Sequence, residues 1–198
     1  MNLPNKLTVL RVILIPFFMV FILLPDFTEI NKTLSDLIAA AIFGVASFTD
    51  YLDGKIARSQ NIVTDFGKFM DPIADKLMVF GAFLCFLAAE SYAQYRYVFA
   101  IIVFVVLLRE FAVTSIRLVA QSSGGKVIAA NMLGKIKTVT QIIFVLAALA
   151  EKHLFFFSDF MVKYTPITVL SCLVMFVFTV LSGVNYLVAN KQYIDPKK

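Results

Sequence analysis

The chain reads DYLDGKIARSQNIVTDFGKFMDPIAD from Asp50 to Asp75. Asp50 and Asp53 are three residues apart, so on a helix they share one face. Asp71 and Asp75 are four apart and share a face of a second helix, with Gly67 one turn before Asp71. Antiparallel packing of these two helices would therefore present four carboxylates to one another at the same depth.

Apolar segments without charged residues flank this stretch and continue along the chain. They are Val12–Leu24, Leu37–Thr49, Leu77–Ala89, Tyr97–Leu108, Thr138–Ala150 and Tyr164–Ala189. The last segment is long enough to cross a membrane by itself. The other five would each extend about 20 Å as helix, which is about 10 Å less than the hydrocarbon core. We therefore predict that each of these helices continues through its flanking charges, with residues 59–66 connecting the second to the third.

The composition agrees with a membrane protein. Hydrophobic residues make up 60% of the 198 residues and charged residues only 16%, whereas soluble domains average 45–50% and about 25%. Six spans and short loops would use nearly the whole chain, which predicts an all-α integral membrane fold with a single domain over residues 1–198. Cys85 and Cys172 lie within apolar segments and are interpreted as small buried hydrophobic residues.

The charged ends of the first five segments predict one polar cavity. Because successive helices run antiparallel, these ends all fall on the same side of the bilayer. In this topology 14 of the 18 Lys and Arg residues lie on the side of the N-terminus. The positive-inside rule then places both termini and the cavity in the cytoplasm. The net charge of +5 is thus explained by membrane orientation, and no nucleic-acid partner is expected.

His153 falls in a predicted external loop and is interpreted as an interfacial residue.

The four aspartates indicate a site for cations. Clustered carboxylates near membrane depth are costly unless their charge is compensated. Oxygen ligands suit Mg²⁺, Mn²⁺ or Ca²⁺, and the absence of nearby His or Cys argues against zinc. Four carboxylates suffice for a two-metal site of the kind that handles phosphoryl transfer. Alternatively, they could form a solvated network with Lys55, Arg58, Lys68 and Lys76, or belong to a cation transporter. A transporter would place carboxylates along a path through the membrane, whereas here they gather on one side.

The pattern Asp50-x2-Asp53-Gly54-x2-Ala57-Arg58-x8-Gly67-x3-Asp71-x3-Asp75 resembles the signature of the CDP-alcohol phosphatidyltransferases at each of its eight positions. The flanking segments 2–11, 64–68 and 134–138 are similar to those of the bacterial members that use glycerol 3-phosphate as acceptor. The resemblance covers essentially the whole chain.

The resemblance implies six helices around a cytoplasm-facing cavity, a homodimer in the cell membrane, and two divalent cations, Mg²⁺ or Mn²⁺. The metal ligands would be Asp50, Asp53, Asp71 and Asp75, with Asp75 also the general base. The donor would be CDP-diacylglycerol. The residues that would contact it are Asn5, Thr8, Gly54, Ala57, Arg58, Thr64 and Gly67. The implied reaction transfers the phosphatidyl group to sn-glycerol 3-phosphate and gives phosphatidylglycerophosphate and CMP.

The acceptor phosphate needs cationic partners of its own. Candidates are Arg109, Arg117, Lys135 and Lys137, which converge on the predicted cavity from the fourth and fifth helices. Lys135 and Lys137 could instead be ordinary positive-inside flanking residues, and Arg109 could pair with Glu110.

Other acceptors of the family stay open: phosphatidylglycerol, as in cardiolipin synthesis, inositol phosphate, or serine. A cationic pocket argues against serine, and a lipid acceptor would not need it.

Overall fold

The computed structural model describes residues 2–59, 64–122 and 132–193. Within these ranges it gives no side-chain description for residues 57–59, 68, 121 and 192. Every regular element in the described ranges is helical. The α-helices are α1 (Leu3–Leu23), α2 (Lys32–Ser59), α3 (Asp65–Ala88), α4 (Arg96–Ser122), α5 (Met132–Leu154), α6 (Asp159–Tyr164) and α7 (Pro166–Ala189).

The long helices continue through their flanking charges, as the sequence predicted. Helix α1 begins eight residues before Arg11, and α2 passes Asp50 and Asp53 before it ends at Ser59. Helix α4 passes Arg109 and ends at Ser122. The apolar segments are therefore parts of longer helices whose ends carry the polar residues.

Among the described residues, five stretches are long and apolar enough to cross a membrane, which marks the chain as an integral membrane protein. They are Leu3–Asp26, Lys32–Ile56, Glu90–Ala120, Met132–Leu154 and Asp159–Ala189. Helix α3 is not among them, although its 24 residues would extend about 36 Å. Asp71, Asp75 and Lys76 precede its apolar segment, so the charge-free part of this helix is too short to cross a membrane by itself.

The chain divides into two compact units, residues 1–96 with 145–168, and residues 97–144 with 169–198. In the first unit α1 packs against both α2 and α3. The rings of Phe18 and Phe43 lie 5.4 Å apart between α1 and α2. A Cβ atom at Gly81 of α3 would lie 3.3 Å from side-chain atoms of Ile15 and Met19, so this glycine permits a close approach of α1. These contacts bring the polar ends of the three helices together.

The opposite end of the first unit carries a buried ionic cluster. The carboxylate of Asp36, 5% exposed, lies 2.8 Å from Lys32 Nζ and 2.8 Å from His153 Nε2. His153 belongs to the last turn of α5, so its placement in an external loop was wrong. The helix extends four residues beyond its apolar segment, and its last turn places the imidazole against the buried carboxylate on α2.

Candidate active site

Three charged residues bridge α1 and α2 at the polar end of the first unit. Nη1 of Arg11 lies 2.5 Å from Asp50 Oδ1, and Nη2 donates to Asp53 Oδ2. The Arg11 and Asp53 side chains are 0% and 7% exposed, whereas that of Asp50 is 40% exposed. One guanidinium therefore bridges both aspartates of the first half of the signature and offsets one of their two negative charges.

A second group of contacts joins α1 to the start of α3. The Thr8 hydroxyl donates to Asp71 Oδ1 at 2.7 Å. Thr64 is the N-cap of α3: its hydroxyl oxygen accepts from the Gly67 amide at 3.1 Å and its hydroxyl donates to Asn5 Oδ1 at 2.9 Å. The structure thus assembles four predicted donor-binding residues beside one predicted metal ligand.

Gly67 is needed at this junction for a steric reason. A Cβ atom there would lie 3.3 Å from Asn5 Oδ1, 3.3 Å from Thr64 Oγ1 and 3.7 Å from Asp71 Oδ2. A Cβ atom at this position would require the side chains of Asn5 and Thr64 to shift by a few tenths of an ångström.

Arg11 was missed as a site residue. Asn5, Thr8 and Arg11 follow one another at intervals of three, so they occupy one side of α1, and they are 8%, 1% and 0% exposed. The spacing was visible in the sequence and points to a polar face on an otherwise apolar helix. Which carboxylates that face would meet depends on the packing of α1 against α2 and α3.

The donor atoms fit a hard divalent cation by their chemistry. Asp50, Asp53 and Asp71 offer only carboxylate oxygens, which Mg²⁺ and Mn²⁺ prefer. Across residues 2–59, 64–122 and 132–193, no three acidic, histidine or cysteine side chains are grouped as a metal-binding set. Instead, the guanidinium of Arg11 contacts the carboxylates of both Asp50 and Asp53.

For the other predicted residues of this region, the structure establishes the position in a helix. Asp75 lies one turn after Asp71 in α3 and is partly exposed, and Gly54 lies in α2 next to Asp53. Ala57 and Arg58 belong to the last turn of α2, but their side chains lie outside the described part of the structure.

The predicted acceptor residues belong to the second unit and differ in exposure. Arg117 and Lys135 are exposed. Arg109 pairs with Glu110 at 2.8 Å, which was the alternative interpretation of that residue. Lys137 is only 6% exposed and its Nζ lies 2.7 Å from Glu110 Oε1, which is unusual for an ordinary flanking lysine.

The family model for CDP-alcohol phosphatidyltransferases matches residues 1–181. The chain therefore belongs to the CDP-alcohol phosphatidyltransferase family, and the resemblance of the aspartate signature is confirmed. Two relatives are named CDP-diacylglycerol–glycerol-3-phosphate 3-phosphatidyltransferase. The one from Bacillus subtilis (strain 168) is 43% identical over 195 residues, 96% of this chain and 95% of the relative. The one from Escherichia coli (strain K12) is 37% identical over 143 residues, 72% and 73% of the two chains.

Proposed function

We propose that the protein transfers the phosphatidyl group of CDP-diacylglycerol to sn-glycerol 3-phosphate. The observation that carries this proposal is the assembly of Asn5, Thr8, Thr64 and Gly67 beside Asp71. The relatives described above are named for this activity. The cationic acceptor candidates fit the phosphate of this acceptor.

The reaction is a displacement at phosphorus. A hydroxyl oxygen of glycerol 3-phosphate bonds to the phosphorus that carries diacylglycerol. The bond from that phosphorus to the oxygen of the CMP phosphate breaks, and CMP leaves with the electron pair. Asp75 accepts the hydroxyl proton, and its contribution comes from its position because an ordinary carboxylate is a weak base toward an alcohol.

Asp50, Asp53, Asp71 and Asp75 would hold two divalent cations, Mg²⁺ or Mn²⁺. When bound, such ions neutralise the charge of the pyrophosphate and of the departing CMP. Around them the chain itself would orient the nucleotide. The residues proposed for this are Asn5, Thr8, Gly54, Ala57, Arg58, Thr64 and Gly67.

The acceptor phosphate would be held by Arg109, Arg117, Lys135 and Lys137. The membrane arrangement is also part of the proposal. Six helices would cross the membrane, with α3 as the sixth, and both termini and the active site would face the cytoplasm. The enzyme would act as a homodimer in the cell membrane.

An acceptor panel tests the proposal. Purified protein receives CDP-diacylglycerol, Mg²⁺ and one acceptor at a time: glycerol 3-phosphate, inositol phosphate, serine or phosphatidylglycerol. We expect CMP release with glycerol 3-phosphate alone. Release only with another acceptor would retain the donor site and reject the acceptor assignment.

A further inference from the structure

The second unit is almost devoid of negative charge. Among its described residues, 97–122, 132–144 and 169–193, Glu110 is the one acidic side chain. The same ranges contain the cations Arg109, Arg117, Lys135, Lys137 and Lys191. The positive-inside rule accounts for exposed cations that flank membrane helices, whereas buried cations on such helices are costly and indicate a function.

Glu110 sits between two of these cations. Its Oε1 accepts from Arg109 Nη1 at 2.8 Å and from Lys137 Nζ at 2.7 Å. The three side chains are 12%, 11% and 8% exposed in the order Arg109, Glu110, Lys137. This charged triad therefore brings two cations to one carboxylate oxygen and keeps a net charge of +1 away from solvent.

Helix α7 fixes Arg109 from another direction. Nη2 of Arg109 donates to Ser182 Oγ at 2.6 Å. A Cβ atom at Gly183 would lie 2.8 Å from Arg109 Cγ, so only glycine lets the arginine side chain lie across α7 here. Nε of Arg109 is buried and has no hydrogen-bond partner in the described part of the structure.

We propose that Glu110 is a positioning residue for the acceptor. It holds Arg109 and Lys137 side by side against their mutual repulsion, and the net positive charge of the triad attracts the phosphate of glycerol 3-phosphate. Ser182 orients the Arg109 side chain by a hydrogen bond, and Gly183 leaves the space in which it lies. This inference rests on the proposed function, because it assumes that these cations receive the acceptor phosphate.

The test separates the two substrates. Initial rates of Glu110→Gln are measured against glycerol 3-phosphate and against CDP-diacylglycerol. We expect the KM for glycerol 3-phosphate to rise about 10–100-fold, by analogy with the loss measured when a partner that orients a metal-binding side chain is removed. The KM for CDP-diacylglycerol should stay within about twofold of the wild-type value, and Glu110→Asp should recover part of the loss, because a carboxylate still neutralises the cations.

Gly183→Ala provides an independent variant if Glu110→Gln does not fold. It should raise the KM for glycerol 3-phosphate in the same selective way, since the new methyl group displaces Arg109. Val184→Ala, at a residue 54% exposed on the same helix, is the matched control and should behave as wild type.

The outcomes distinguish this inference from the proposed function. If the wild-type protein does not use glycerol 3-phosphate, the proposed function fails. If the wild-type protein uses it but the variants leave its KM unchanged, or raise both KM values equally, the positioning role of Glu110 alone is overturned.

Discussion

Replacing Arg11 by methionine should strongly destabilise the first unit. The arginine side chain is fully buried, and its partners Asp53 and Asp50 are 7% and 40% exposed. Breaking a buried ion pair by removing one partner costs about 3–5 kcal/mol, because the remaining charge is left uncompensated. Asp53 accounts for most of this cost, since solvent screens the more exposed Asp50. For a chain of this length the Tm should fall by about 6–20 °C.

The assay is thermal unfolding of purified protein in detergent, with a double-mutant cycle. Lys6→Met removes an exposed cation from the same helix and should leave the Tm unchanged. Adding Asp53→Asn to Arg11→Met should recover much of the loss, because the buried charge has been removed as well. A Tm of Arg11→Met equal to that of the wild type, or Tm changes of the two substitutions that simply add, would show that no buried ion pair stabilises this unit.

Three further predictions concern turnover, donor binding and stability. Asp75→Asn should lower the transfer rate by about 10²–10⁴-fold while CDP-diacylglycerol still binds; a fully active variant would contradict its role as base. Gly67→Ala should raise the KM for CDP-diacylglycerol severalfold, whereas Gly44→Ala, where a Cβ atom meets nothing within 4 Å, should match wild type. Asp36→Ala should lower the Tm by about 6 °C or more without changing either KM; altered substrate binding would show that its ionic cluster does more than stabilise.

The extent of the helices, and the positions of the signature aspartates on them, could be predicted from the sequence because both depend on local pattern. Apolar segments too short to cross a membrane must extend through their flanking charges, and Asp50 lies within α2 for that reason. Six spans were predicted and five are found among the described residues. The difference is α3, where Asp71 and its charged neighbours shorten the apolar stretch.

The pairing of side chains could not be predicted, because it depends on which helix faces meet. The spacing of the polar residues of α1 was visible, but not that Arg11 would bridge Asp50 and Asp53. Likewise, Arg109 next to Glu110 suggested a local ion pair, but the contact of the buried Lys137 with the same carboxylate joins residues 27 positions apart, which no local pattern shows.

In the proposed reaction, this chain makes a phospholipid from CDP-diacylglycerol and glycerol 3-phosphate at a metal-dependent aspartate site. The most direct measurement supplies purified protein with CDP-diacylglycerol, labelled glycerol 3-phosphate and Mg²⁺, and follows label in the lipid extract with and without EDTA. We predict that label enters the lipid phase in step with CMP release, and that EDTA stops both. Folded protein that yields no labelled lipid would rule out the proposed reaction, and an equal yield with EDTA would rule out its metal dependence.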